Sequence, residues 1–349
     1  MGSAERTRET WLDGLKGFGC LLVILGHVLS GYLDAGAFPE AYGGLHSLRT
    51  WIYSFHMPLF FLISGFTFTL AYFRDGKLRR AGFLRQLCNL VWVYVLFALL
   101  LWLVKQAVPE MVNEAYDLSD LLGMFRTPLG NFWYVYVLFF LYLIGAVTGL
   151  SGRTPVWLLP LGALSVYAAH SSWEWTALTF YRLCYHLFFF AWGCMLCRNR
   201  KWLESPKILG ISAMLLATAA YFYFFWYTRN WYAVWQFLIA AATCWVLVWQ
   251  FHRFPRLSGC KLFQNYGKYA LEIYLLHTFF TGGLRALLPL LGITTPFLSV
   301  WFNFLFSAGA SYLLSVLLHR CRIGDLLFRP ARYIQKKTSG ESGSLSETK

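Results

Sequence analysis

The sequence predicts an all-α integral membrane protein, a bundle of about ten transmembrane helices with both termini in the cytoplasm. Three observations predict it. Apolar runs of spanning length recur from one end of the chain to the other. Hydrophobic residues make up 58% of the 349 and charged residues only 13%, whereas a soluble domain carries roughly a quarter charged. Finally, 24 of the 30 Lys and Arg fall on one side of the predicted bundle. That asymmetry places the basic side in the cytoplasm and demands an even number of spans. The length would allow two or three soluble domains, but no stretch has the composition of one.

Spans are expected at 17–35, 52–73, 84–105, 131–149, 155–170, 180–197, 206–227, 231–251, 269–289 and 297–318. The first follows Lys16. It is long for a signal-peptide core and is followed at once by more spans. It is therefore read as an uncleaved helix, despite Ala35-Gly36-Ala37 resembling a processing site. The second run opens beside Trp51 and Tyr53, and the third follows the basic cluster Arg79, Arg80 and Arg85. The fourth opens on Trp133 and Tyr134, and the two shortest runs flank Trp173 and Trp175. Aromatic edges of this kind suit the membrane interface. The last four runs are bounded on their basic side by Lys207, Arg253, Lys268 and Arg320. Residues 1–16 then form a cytoplasmic segment, 17–330 the transmembrane domain and 331–349 a Ser-rich, disordered cytoplasmic tail.

A formal charge of +14 suggests nucleic acid as a partner, but the cations sit in short clusters between apolar runs, so the lipid bilayer is the expected partner. The eight Cys all lie in spans or their basic flanks, which argues against an extracellular disulfide framework. Cys194 and Cys197 form a CxxC with no second Cys or His pair to complete a zinc site. No metal is expected. No internal repeat is visible, which weighs against an inverted-repeat transporter.

Ionisable groups inside spans are costly and point to function. His27 follows Lys16 by eleven residues, a rise of roughly 16 Å and close to three whole turns. Lys16 can therefore sit at the cytoplasmic interface while His27 lies near mid-bilayer on the same face. The same spacing also fits a neutral His bonded to a carbonyl, with Lys16 snorkelling. His277 sits at a similar depth in the ninth span, with Glu272 just over one turn below. An unpaired carboxylate in lipid would protonate, so Glu272 is expected to meet Lys16 or another cation, in a site or in a structural pair. His56 is expected at the start of the second helix, ahead of Pro58, and is read as structural or chemical. Asp34, Arg126, Arg182 and His186 fall near the outer leaflet, as substrate contacts or as interface residues.

The run from Trp11 to His27, WLDGLKGFGCLLVILGH, resembles the first-helix signature of the acyltransferase-3 membrane family: a basic residue, ten positions, then His. Ser54–Phe66, SFHMPLFFLISGF, is similar to the family's second-helix motif. Tyr266–His277, YGKYALEIYLLH, resembles its late-helix motif, and Asn131–Tyr136 the aromatic start of its fourth helix. Three motifs in order, near both ends of the helical region, are specific. Much of the family has Arg where this chain has Lys16. The Asp13-x-x-Lys16 form looks like the fucose-4-O-acetylase-like branch. Lys offers a phosphate a point charge rather than a bidentate fork.

The resemblance implies acyl transfer from acetyl-CoA to a hydroxyl of a cell-surface or lipid-linked carbohydrate, in the inner membrane of a bacterium. Acetyl-CoA is then a co-substrate, and no cofactor is permanently bound. The implied catalytic residues are His27 as general base, with Glu272 and His277. Asp13, Lys16, Arg79, Arg80 and Arg85 would bind the donor, and Asp34, His56, Arg126, Trp133 and Arg182 the acceptor. The residues fit this independently: basic loops suit the phosphates of CoA, and imidazole suits removal of a hydroxyl proton. His277 or Tyr274 is a candidate donor to the oxyanion. A rival reading takes the same buried His, Glu and Lys as a proton-coupled transport path, and a third makes the chain a membrane scaffold.

Overall fold

The computed structural model describes residues 9–37, 43–74, 77–109, 114–170, 175–204, 206, 209–216, 218, 232–321 and 323–331. The described helices are, in order, α1 (Thr10–Asp34), α2 (Gly43–Tyr72), α3 (Arg80–Ala107), α4 (Leu118–Leu122), α5 (Trp133–Thr148), α6 (Leu158–His170) and α7 (Trp175–Arg198). There follow α8 (Tyr232–Arg253), α9 (Pro255–Ser258), α10 (Lys261–Lys268), α11 (Ala270–Leu290), α12 (Pro296–Arg320) and α13 (Ile323–Phe328). The one sheet among the described residues is a two-residue antiparallel ladder, Phe73–Arg74 with Lys77–Leu78. Eight described helices are long and apolar enough to cross a membrane, so the chain is an all-α, multi-pass membrane protein. The run expected at 155–170 is a shorter apolar helix. Most of 206–227 and nearly all of the tail lie outside the described residues, as does Trp173.

Two helix starts lie furthest from the sequence expectation, for the same reason. α1 begins at Thr10 rather than 17, so Asp13 and Lys16 are already helical residues. α2 begins at Gly43 rather than 52, which puts His56 and Pro58 inside the helix. Hydropathy locates the lipid-spanning part of a helix, while backbone hydrogen bonding continues into the polar interface beyond it.

Glycines bring helices to backbone contact where the bundle is tightest. A Cβ on Gly65 of α2 would lie 1.9 Å from the carbonyl oxygen of Phe190, and one on Gly193 of α7 would lie 1.9 Å from that of Leu62. The two helices therefore cross with each glycine against the other's backbone, the close approach that small residues permit in membranes. α12 shows the complementary pattern. Its inward stripe is Ser299, Asn303, Ser307, Ser311 and Ser315, each at most 2% exposed, while Phe302, Leu305, Leu313 and Leu317 face outward. The stripe satisfies itself: Ser311 and Ser315 donate to carbonyls one turn back, and Asn303 donates to the Thr281 carbonyl on α11.

Candidate active site

α1 and α11 rise side by side from the basic end of the bundle. Near their starts, Lys16 and Glu272 line one cavity of about 270 Å³. Further along, His27 and Thr278 line a second cavity of about 690 Å³. α10 sets the register at the base. A Cβ on Gly17 would fall 1.8 Å from the Phe263 carbonyl oxygen, and one on Gly267 would fall 1.9 Å from that of Asp13. This contact holds Lys16 next to the exposed Lys268, both on the rim of the basic-end cavity.

The basic-end cavity is cationic at its mouth. Lys16, Lys268 and Arg329 line it together with Gln86. Lys16 Nζ lies 3.5 Å from an Asp13 carboxylate oxygen. Glu272 is 1% exposed and does not pair with Lys16. Its Oε1 accepts instead from His319 Nε2 at 3.1 Å and Arg329 Nη2 at 3.2 Å. The cation that Glu272 requires thus comes from the C-terminal segment. Nearby, Arg200 reaches Glu9 at 2.6 Å. Burial disfavours the Arg200 cation, but the Glu9 carboxylate outweighs it and holds the pKa above the ordinary arginine range. Arg79, Arg80 and Arg85 are exposed around the start of α3 and do not line the cavity.

The far cavity is polar at its rim, where Asp34 and Glu114 are exposed and Arg49, Lys105 and Arg285 project along the wall. Arg49 spans the mouth, with Nη2 on Asp34 at 2.9 Å and Nε on the Ser30 hydroxyl at 2.8 Å. Lys105 stands 3.5 Å over the Tyr116 ring. His27 lies at the floor, with Nδ1 3.3 Å from the Tyr53 hydroxyl. Behind it, His277 is fully buried. Its Nδ1 donates to the Ile273 carbonyl at 3.1 Å, and its Nε2 has no hydrogen-bond partner among the described residues.

Two residues expected at the acceptor side, Arg182 and Trp133, form an aromatic nest with His186. The Arg182 guanidinium lies 4.5 Å over Trp133, which stacks on His186 at 5.6 Å. His56 is 2% exposed, bonds the Ile52 carbonyl at 2.8 Å and meets Tyr53 edge-on at 4.8 Å. Only Asp34 of the expected acceptor residues lines the far cavity, and Arg126 is exposed in a turn away from it. Tyr274 donates to the Asn131 carbonyl, so that hydroxyl is already engaged. Sequence reasoning missed Tyr53, Arg49 and Arg285, which have no motif to mark them. It also missed His319, although a buried Glu272 signalled that a partner had to exist. No group of three His, Cys, Asp or Glu side chains among the described residues is arranged to hold a metal ion.

All of the far-cavity lining, and all of the basic-end lining except Arg329, sits within one matched region. A family model described as "Acyltransferase domain" (Acyl_transf_3) matches residues 9–320. The chain belongs to the acyltransferase-3 family. Among individual proteins, this family member is similar to the "Nodulation protein NolL" of Mesorhizobium japonicum, 27% identical over 233 residues, covering 66% of this chain and 60% of that one. It is also similar to the NolL of Sinorhizobium fredii, 27% identical over 169 residues, covering 47% of this chain and 43% of the relative. The matches thus span less than two thirds of either relative. No solved structure matches the chain at a significant level.

Proposed function

We propose that this acyltransferase-3 member transfers an acetyl group from acetyl-CoA to a carbohydrate hydroxyl in the inner membrane of a bacterium, with its basic end in the cytoplasm. The observation that carries this reading is that Lys16 and His27, on one helix, line cavities at opposite depths of the bundle. Acetyl-CoA is made in the cytoplasm and is anionic at its nucleotide end, so the Lys16, Lys268 and Arg329 mouth suits it. Arg79, Arg80 and Arg85 lie outside that mouth and attract the anion at longer range. The pantetheine arm then carries the thioester inward along α11, and the side-chain layer between the two cavities opens for it to meet His27.

The acceptor sugar enters the far cavity. Asp34 and Glu114 offer acceptors for its hydroxyls, and Tyr53 and Tyr116 offer ring edges and faces. His27 takes the proton of the attacking hydroxyl as its oxygen bonds to the acetyl carbon. The tetrahedral intermediate collapses, the carbon–sulfur bond breaks, and the imidazolium returns the proton to the CoA thiolate. Transient acylation of His27 is the second chemical route and predicts ping-pong kinetics. Glu272 acts at one remove: it ties α11 to α12 and to Arg329, and so sets the shape of the donor mouth.

The test is acetylation of acceptor in membranes at matched protein levels, comparing wild type with His27→Ala. Loss of a general base lowers turnover by about 10²- to 10⁴-fold, and full activity in the variant excludes the assignment. Two cavities at opposite depths also favour a second reading, transport by alternating access. Acceptor-independent flux of a small molecule into vesicles without CoA supports that reading, whereas consumption of acetyl-CoA supports the enzyme.

A further inference from the structure

The two cavities share no lining residue. Between them lies a layer of side chains with a gap too small for water, bordered by Cys20, Ile24, Phe60, Ile273, Tyr274 and His277. Tyr274 reaches both sides of this layer. It lines the basic-end cavity, and its hydroxyl donates to the backbone carbonyl of Asn131, a residue of the far cavity. Tyr134 braces the ring edge-on at 5.2 Å and is itself held by a 2.8 Å hydrogen bond to Ser64. Phe60 and Tyr134 line the donor side of the same plug. Closed in this way, the layer leaves no room for a water molecule.

A thioester reaching Tyr274 from the basic end faces competition between a sugar hydroxyl and water. Both reactions form a carbon–oxygen bond, break the carbon–sulfur bond and return one proton to the thiolate. Hydrolysis yields acetate and CoA, and transfer yields the acetyl ester and CoA. A layer that stays closed until the acceptor occupies the far cavity keeps water there from the thioester and so decides between them.

We propose that Tyr274 is the seal between the donor and acceptor cavities, latched by its hydrogen bond to Asn131, and that it sets the specificity for a hydroxyl over water. The specificity half rests on the acetyl-transfer reading; the seal does not.

Cys20 provides a reporter within the layer. It is 2% exposed and its thiol lies 3.6 Å from the Ala270 carbonyl. In a variant whose other seven cysteines are replaced by Ser or Ala, Cys20 is titrated with a charged, water-soluble methanethiosulfonate reagent in detergent-solubilised and in vesicle-embedded full-length protein. With Tyr274 intact, labelling is slow. Tyr274→Ala accelerates it at least tenfold. Equal rates in the two proteins, or fast labelling in the parent, overturn the seal. Tyr274→Phe keeps the ring but loses the latch, and it folds where the Ala variant fails. It is expected to raise Cys20 labelling at least threefold and to raise acetate release from acetyl-CoA relative to acceptor acetylation by a similar factor. An unchanged acetate-to-ester ratio overturns the role in specificity. Absence of any acetyl-CoA consumption in the parent overturns the acetyl-transfer reading, while the labelling rates still decide the seal.

Discussion

The imidazole rings of His27 and His277 lie 5.1 Å apart, tilted by 35°, on the two helices that rise together through the bundle. One ring borders a cavity and the other is enclosed. On the proposed reading, His277 backs His27 and does not meet substrate. Its truncation to Ala lets the His27 ring shift. A displacement of about 1 Å costs on the order of 10²-fold in rate, so His277→Ala is expected to lower kcat far more than it alters the KM for acetyl-CoA. Steady-state kinetics in membranes check this, and an unchanged kcat removes His277 from the positioning of His27.

Tyr53 holds the other side of His27 through one hydrogen bond of 3.3 Å. A neutral hydrogen bond is worth about 0.5–1.5 kcal/mol. Tyr53→Phe is thus expected to lower kcat by only about 2- to 10-fold, with normal folding judged by size-exclusion chromatography. A loss as deep as that of His27→Ala would instead make the phenol part of the chemistry.

Donor affinity is expected to divide by position rather than by charge. Lys16 lines the basic-end cavity, whereas Arg79, Arg80 and Arg85 do not. A hydrogen bond to a charged group contributes about 1.5–3 kcal/mol, so Lys16→Met raises the KM for acetyl-CoA by about 10- to 150-fold. Single Gln substitutions of the three arginines act through screened charge and shift it by no more than about threefold at 0.15 M salt. Titration of acetyl-CoA at two salt concentrations separates the two groups.

Glu272 makes a stability prediction. Removing one partner of a buried ion pair costs about 3–5 kcal/mol, and Arg329, itself 37% exposed, places its removal at or below the low end. Arg329→Met is expected to lower Tm, and adding Glu272→Gln to recover part of the loss, because the second change removes the stranded carboxylate. Additive losses in a thermal double-mutant cycle would show that the pair is not coupled.

Gly65 and Gly193 test the backbone contact of α2 and α7. Gly193→Ala puts a methyl group 1.9 Å from the Leu62 carbonyl oxygen, and the yield of monodisperse protein is expected to collapse. Gly309→Ala on α12 meets nothing within 4 Å. It is expected to keep that yield and to gain about 0.5–1 kcal/mol from reduced backbone freedom.

Most of the helical order was legible because lipid imposes a simple rule: a span must be apolar and long, and its ends attract Trp, Tyr, Lys and Arg. Eight of the expected runs correspond to helices meeting that rule. His27 and Glu272 stood out for the same reason, as polar groups where hydrocarbon disfavours them. The helix starts at Thr10 and Gly43 were not legible, since polar helical turns beyond the lipid carry no hydropathy signal.

By itself the sequence determined the class of fold, the family motifs and the helix-register link between Lys16 and His27. These are local properties, set by composition and by residue spacing along one helix. Only the tertiary structure decided that Glu272 meets His319 and Arg329 rather than Lys16, that Tyr53 and His277 flank His27, and that Tyr274 stands between two cavities. Those pairings join residues tens to hundreds of positions apart. They depend on how closely glycines and serines let neighbouring helices approach, and no periodicity along the chain encodes that.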